Sequence, residues 1–545
     1  MTWGLIIAII FLALFIITLL TLGEGLLKVT ASQSGADASD YSVMPLSFRS
    51  FLGRNKGRKD YVPEGAAVKN LGRGFDISLL GAPELGDVGI QRVRTSTYAI
   101  KPGNIMGMSP IPKIVPEVGT IVKAGDALMF DKKRPEVIFA APISGEIIEV
   151  KRGEKRSISE VIILADKGEI QYRVYDNLPN LGDVSREELV NFLLPSGVWP
   201  FIRQRPFDVI AEPTEIPKSI FVSTFDTAPL APDLNLAVEG KEAAFEAGLR
   251  ALTILSGGKV HVGLNARAAK APAAAYMQAD RIKGVETHWF NGQHPAGNVG
   301  VHMHHIDPVL PGSLVWHMDV HGVILLGTLL TKGIFDTERV VALSGAELPN
   351  PGYVRVHQGA SLADLLASMP ADMIEEVNKV KDKEGNETEE TVAVRTIRIV
   401  SGDLLSGEQV ERYSFLNFYD DQVSVAKEGD YYELFGWLVP QTGHPSISRT
   451  FPNGFFPDSQ YVADTNTNGE KRAFVMTGEY ESVLPMDIYP QYVFRAIQAN
   501  DYEKMEGLGL LELVEEDVAL CEYVCTSKQP LQKILRQGLE EIRNS

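Results

Sequence analysis

SIFVSTFDTAPLAPD (219–233) is a short β-branched run that ends in a turn holding two prolines and no glycine. Beyond it, Gly240 to Leu255 places Phe245, Leu249, Leu252 and Leu255 on one helical face, and KVHVGL (259–264) is again strand-like. Strand, amphipathic helix, strand is the grammar of a parallel sheet covered by helices. A nucleotide-binding version needs a glycine turn directly after the first strand, so that backbone N–H groups and a helix N-terminus can approach phosphate. Asp226-Thr227-Ala228-Pro229-Leu230-Ala231-Pro232 cannot make that turn. The expectation for 169–338 is therefore a Rossmann-like α/β domain without a phosphate loop. Gly72-Arg73-Gly74 is a lone GxG outside a strand-to-helix context and reads as a turn.

Working outward, the neighbours change character. Upstream, VGTIVKAGDALMF (118–130), a tip at Asp131 to Pro135, VIFAAP (137–142) and SGEIIEV (144–150) are short strands separated by turn signals. They resemble the barrel-sandwich hybrid of biotinyl and lipoyl domains, assigned to 62–168. In those carriers a hairpin-tip lysine takes the cofactor, and Lys132 or Lys133 stands where it would; the plainer reading is a solvated turn. Downstream, VVALSG, YVRV, VAVRTIRIV and QVSVA are candidate strands around a short helix at 361–369, the pattern of a β-grasp domain over 339–445. Lys379 to Thr391, with eight charged residues in thirteen, interrupts it as a solvated loop or hairpin. The remainder, 446–545, turns mainly helical, with Leu531, Ile534, Leu535, Leu539 and Ile542 on one face of the last helix. The fold class is thus multidomain, mixing α/β and α+β.

The first 24 residues differ from all of this. No charged side chain precedes Glu24, and the twenty residues Trp3 to Leu22 reach roughly 30 Å as a helix, the thickness of a bilayer core. Basic residues follow at Lys28, Arg49, Arg54, Lys56, Arg58 and Lys59, which places the large body on the cytoplasmic side of an inner membrane. A cleaved signal peptide would want a basic start and a shorter apolar core, and Met1-Thr2 offers no basic side chain. The expectation is a single-pass anchor (1–24), then a tether (25–61) whose run ASQSGADASDY has nothing to bury.

Net charge of −18 with no compensating basic domain excludes a nucleic-acid binder. Cys521 and Cys525 are the only cysteines, so no disulfide framework exists. One helical turn apart, they continue the stripe of Val514 and Val518 as buried thiols, and two thiolates cannot hold a [4Fe–4S] cluster. Seven of the ten histidines lie between His288 and His321. His294, His302, His304, His305 and His317 are candidates for a polar ligand pocket or a subunit interface, beside the plain reading as structural histidines. No acidic or thiolate residue stands at zinc-type spacing to them, so no metal site is expected. Nucleophile elbow, P-loop, zincin and kinase motifs are all missing, and no catalytic residue is assigned.

Read in order, DKKRPEVIFAAPISGEIIEVKRGEKR (131–156), SIFVSTFDTAPLAPD (219–233), HPAGNVGVHMHHIDPV (294–309), VVALSGAELPNPGYVRVHQGASL (340–362), IVSGDLLSG (399–407), SISRTF (446–451) and GLLELVEEDVALCEYVC (509–525) closely resemble the NqrA family of the bacterial sodium-translocating NADH:quinone oxidoreductase. The resemblance runs from about residue 65 to the end. It implies a peripheral cytoplasmic component of a six-subunit respiratory complex that couples NADH oxidation and quinone reduction to outward sodium transport. Its partners would be subunits B, C, D, E and F, which carry the FAD, FMN, riboflavin and iron–sulfur centres. It implies no bound cofactor in this chain and a possible quinone contact, for which the five histidines are the candidates. The alternative is a flavin- and cluster-bearing NADH or ferredoxin oxidoreductase, like the complex I flavoprotein or the Rnf C subunit; the missing glycine loop and cluster cysteines weigh against it. The apolar helix and the charged stretch 379–391 depart from the family pattern.

Overall fold

The computed structural model describes residues 59–86, 89–109, 111–369, 373–381, 387–432, 443 and 459–544, with backbone alone for the paired strands Met373–Lys381 and Glu387–Arg395. The apolar stretch 3–22, nearly all of the tether and SISRTF (446–451) lie outside them. No helix among the described residues is long and apolar enough to cross a membrane. The chain divides into two units, Met1–Glu64 and Gly65–Ser545. Of the first, 59–64 is a turn in which the Val62 N–H donates to Lys59 O at 3.0 Å.

Two small sheets build the barrel-sandwich domain. One has the order Thr97–Ile100, Ile158–Ala165, Gly145–Arg152, Ile121–Val122; the other has Lys113–Ile114, Ala127–Asp131, Arg134–Ala140. Lys123 to Asp126 turns between them because Gly125 takes φ +95° and Asp126 Oδ2 accepts the Lys123 N–H at 2.7 Å. Lys132 and Lys133 are the exposed two-residue tip of the hairpin in which Asp131 faces Arg134. The base of that tip is docked: Arg134 donates to Ile210 O and to Gly107 O, both at 3.2 Å.

The seven-stranded sheet has the order Val68–Asn70, Val285–Asn291, Lys259–Asn265, Ser219–Ser223, Val315–His317, Arg203–Arg205, Val209–Ile210. The first five run parallel, Arg203–Arg205 runs antiparallel to them, and Val209–Ile210 is antiparallel to Arg203–Arg205. In chain order the four strands from Ser219 are arranged 3-2-1-4, so the connection reverses direction between Ser219–Ser223 and Val315–His317. That reversal puts helices Glu242–Leu255 and Val320–Lys332 on one face and Val299–Ile306 on the other. Phe245, Leu249, Leu252 and Leu255 are buried, as the pattern required. His302, His304 and His305 lie in the helix Val299–Ile306, while His317 is in the strand Val315–His317 and His321 in the helix Val320–Lys332. Before entering the barrel, the chain supplies Val68–Asn70 to this sheet and Gln91–Arg92 to the next.

That next sheet has the order Gln91–Arg92, Gly352–His357, Glu338–Ser344, Gln422–Lys427, Ile397–Ser401, Glu408–Val410. Leaving aside the edge pair, this is 2-1-5-3-4 with the first and last strands parallel, the order of a β-grasp sheet. The charged stretch falls in an antiparallel hairpin, Met373–Lys381 against Glu387–Arg395. C-terminal helices Pro490–Gln498, Glu515–Val524 and Leu531–Asn544 enclose a core that includes Val493, Phe494, Val518 and Leu535. Cys521 and Cys525 are free and buried in it, with Cys525 Sγ 2.8 Å from Tyr480 Oη. Burial pushes the Cys521 thiol up, which makes it a poor nucleophile or ligand.

Helices Glu242–Leu255 and Val320–Lys332 touch backbone to backbone. A Cβ on Gly327 would lie 1.7 Å from Ala244 O, and one on Gly248 would lie 2.1 Å from Val323 O. Gly327→Ala must force the helices apart and should destabilise the protein by about 1–3 kcal/mol or more, whereas exposed Gly240→Ala, with open space around it but φ +72°, should cost less. Chemical denaturation of both variants checks the ordering.

Candidate functional site

Ligands of open α/β sheets bind outside the carboxyl ends of the strands at the point of reversal. Here that place belongs to the loop after Ser219–Ser223. Eleven residues separate Ser223 from the short helix Asn235–Val238, so no helix N-terminus follows the strand directly. The loop also satisfies its own donors: Asp226 Oδ1 accepts the Ala228 N–H at 2.8 Å, Asp233 Oδ1 the Asn235 N–H at 3.1 Å, and Thr227 Oγ1 the Gly297 N–H at 3.0 Å. Gly297 presses against the loop so closely that a Cβ would stand 2.8 Å from Thr227 N. What space remains is a cavity of about 110 Å³, lined by Phe225, Asp226, Asp233, Asn235, Asn265 and Lys270 among others. Small-molecule pockets commonly run to roughly 300–1,000 Å³.

Beside this loop the β-grasp sheet contributes carboxylates. Asp421 is pushed up to about 8 by burial and by repulsion from Asp226 and Asp319, with Arg339 opposing and Asp420 adding to it. Asp420 and Asp226 are shifted upward too, chiefly by burial, with Asp403 adding repulsion to both. Asp226 is open to water, which weakens the burial contribution there. His321 Nε2 approaches Asp421 Oδ2 at 3.7 Å from below, and burial holds that imidazole neutral. The result is an acid-lined crevice between the α/β and β-grasp sheets, in which Asp226, Asp420 and Asp421 are all shifted upward.

Residues 69–166 match the NqrA N-terminal barrel-sandwich hybrid domain, and 184–335 match the NqrA second alpha/beta domain. The NqrA protein of the Na(+)-translocating NADH-quinone reductase from Serratia proteamaculans is 36% identical over 479 residues, covering 86% of this chain and 98% of its own. Its counterpart from Rhodopirellula baltica is 34% identical over 479 residues, covering 87% and 98%. The chain belongs to the NqrA family. Among solved structures, a chain titled NAD+-reducing [NiFe]-hydrogenase in the air-oxidized state overlaps 67% of this chain and 62% of its own, at 12% identity and a TM-score of 0.31, too low to argue from.

In this member of the NqrA family the five candidate histidines do not converge. His304 Nδ1 meets Glu512 Oε2 at 2.9 Å while its Nε2 accepts the Asp487 N–H at 2.8 Å, and His305 Nε2 donates to Pro485 O at 2.7 Å. These two pin the helix Val299–Ile306 to the C-terminal region. His302 is fully enclosed, stacked on Phe290 at 4.0 Å and bonded to Ala296 O, and burial takes it down to about 3. His317 Nε2 donates to Asp208 Oδ1 at 2.6 Å; burial and Arg203 hold it down at about 4. His302 Nδ1 has no hydrogen-bond partner among the described residues, but it faces the enclosed packing against Phe290, whereas His294 stands beside the crevice loop. Its Nδ1 lies 3.3 Å from Thr227 Oγ1 at the crevice loop, and its buried Nε2 has no hydrogen-bond partner among the described residues. The residues that spacing did not single out are Asp319, Asp403, Asp420 and Asp421. They are scattered over a hundred positions, and the one local signal is Asp319 capping an apolar helix by accepting the Gly322 N–H.

Asp421 keeps its proton in the folded state to about pH 8, whereas an unfolded aspartate releases it near about 3.9. Folding thus takes up a proton in that window, and the stability Asp421 contributes is full below about pH 4 and lost as pH rises through 8. Asp421→Asn should therefore raise the thermal midpoint by more at pH 8.5 than at pH 5, and leave it nearly unchanged only below about pH 4. Equal shifts at both pH values would show that the carboxylate is not repelled.

Proposed function

We infer that this chain serves as the NqrA subunit of a sodium-translocating NADH:quinone oxidoreductase, an oxidoreductase complex. The observation that carries the reading is the 36% identity extending over 98% of the Serratia relative, which leaves no domain of that relative unaccounted for. In this reading the chain works beside subunits B, C, D, E and F and holds no flavin, nicotinamide or iron–sulfur group itself. Two features support that. The loop 224–234 uses its own side chains on the donors a phosphate would need, and both cysteines are sealed in an apolar core. Residues 3–22 tether the body to the cytoplasmic face of the inner membrane, which raises its effective concentration beside membrane partners.

Coexpression with the other subunits should give sodium-stimulated NADH:quinone reduction that is lost when this chain is omitted. The chain alone should be colourless and inert toward NADH; a yellow preparation that reduces acceptors would favour the flavoprotein alternative. A chain lacking residues 1–40 should lower the yield of complex with turnover per complex unchanged, and lost sodium transport in intact complex would contradict a mere tether.

Quinone contact, within this chain, is proposed for His294. It joins a ring nitrogen without a protein partner to a place on the crevice loop, and a neutral imidazole can donate to a carbonyl. Burial lowers its basicity although Asp226 and Asp403 pull the other way, so the ring is neutral near pH 7. A photoreactive quinone bound to the assembled complex should label peptides around 226–232 and 294–298. Labelling confined to other subunits would remove the proposal.

A further inference from the structure

Away from the crevice, on the sheet face beneath the helix Val299–Ile306, three side chains bring their donor atoms together. Strands Lys259–Asn265 and Val285–Asn291 pair in parallel with His261 opposite Glu286 and Gly263 opposite His288. Because side chains alternate along a strand, His261, Glu286 and His288 all stand on one face. It is the helix-covered face, since the His302 ring rests 2.4 Å from where a Cβ on Gly263 would be. His261 Nδ1 is 3.0 Å from His288 Nε2 and 3.9 Å from Glu286 Oε2, and the three donor atoms lie within 4.8 Å of one another.

We propose that His261, Glu286 and His288 bind one borderline transition-metal dication, zinc or a close analogue such as cobalt(II) or copper(II). Two nitrogens at about 2.05 Å from a tetrahedral ion sit roughly 3.3 Å apart, so the rings already hold nearly the required separation. The ring planes are inclined at 54°, so the imidazoles are not stacked on each other. A hydrogen bond between two imidazoles would account for the 3.0 Å alone. It needs no carboxylate, however, and the third donor is oriented: Lys259 Nζ holds Glu286 Oε1 at 3.2 Å, leaving Oε2 on the His261 side. Glu286 has 46% of its side chain exposed, so it can close the remaining gap, and water can reach a fourth position. Two imidazoles and one carboxylate suit zinc, cobalt or copper and not magnesium or calcium. Lys69 and Lys259 are the cations that oppose binding, and Asp307 supports it through its field at His261. Glu286 stands two residues before His288 on the same strand, and His261 is one strand away. The register of the parallel pair brings His261 to them.

The test uses the full chain stripped with chelator and titrated with cobalt(II) alone, and separately with one equivalent of copper(II). The expected result is one cobalt per chain with the intense visible absorption of a four-coordinate site, a raised thermal midpoint, and nitrogen hyperfine structure from two imidazoles in the copper resonance spectrum. Glu286→Gln and His288→Gln should each weaken cobalt binding by at least about ten-fold. Their metal-free circular dichroism and thermal midpoints serve as the folding check. No cobalt bound, a weak octahedral spectrum, or a copper spectrum without two nitrogens in the unaltered chain would overturn the proposal without recourse to any variant. Unchanged affinity in both folded variants would do the same.

Discussion

The guanidinium of Arg205 has no exposed surface, and it holds the C-terminal helices on the α/β sheet. It bonds Asp517 Oδ2 at 3.2 Å and Glu516 Oε1 at 3.0 Å across more than three hundred residues, and faces Asp208 Oδ1 at 3.6 Å. Arg203 joins Asp208 at 2.8 Å and lies 4.7 Å over the Tyr419 ring of the β-grasp region. The same ribbon of antiparallel edge, 203–210, receives Arg134 of the barrel-sandwich hairpin at Ile210 O. Four regions therefore meet on one short strand pair. Such buried ions stay charged only while paired, and removing one partner typically costs about 3–5 kcal/mol because the other is left uncompensated.

The charges in this junction do not balance, and the excess has a location. Asp208, Glu516 and Asp517 face Arg203 and Arg205, so one carboxylate lacks a full partner. Asp208, between both arginines, is held well below the usual range despite its burial. Glu516 and Asp517 are both shifted upward, chiefly by burial and with Asp517 adding repulsion at Glu516. The Glu516 side chain keeps 37% of its surface open to water and so is the less strained of the two. Asp517 also accepts the Val514 N–H at 3.1 Å and comes so near the helix Val299–Ile306 that a Cβ on Gly300 would stand 2.5 Å from it. Cap, ion pair and interhelical approach are thus one arrangement.

That arrangement bears on the crevice. Docking the C-terminal region through Asn298, His304 and His305 fixes the helix whose preceding loop, at Gly297, fills the space beside Asp226 and Thr227. The place where an open α/β sheet would receive a ligand is narrowed by the chain itself, and acids from a second sheet line what is left.

How much of this was legible from residue order follows from range. The apolar runs at 219–225 and 259–264, the helical face of Phe245 to Leu255 and the buried thiol stripe depend on neighbours within a few residues, so periodicity alone located them. The missing glycine turn after Ser223 was equally local, and residue identity alone excluded a phosphate loop there. Histidine density was a poorer guide: the helix Val299–Ile306 turned His302, His304 and His305 to different partners, and His294 and His317 lie outside it. Asp421 against Asp226, Arg205 against Asp517, and His261 with Glu286 and His288 each require a register or a docking between distant segments. Local elements, their order and the family follow from residue identity and spacing. Which carboxylates are shifted upward, which histidines are spent on packing and which stand free were decided in three dimensions, because those outcomes depend on burial and on approaches of about 3 to 4 Å between segments remote in the chain.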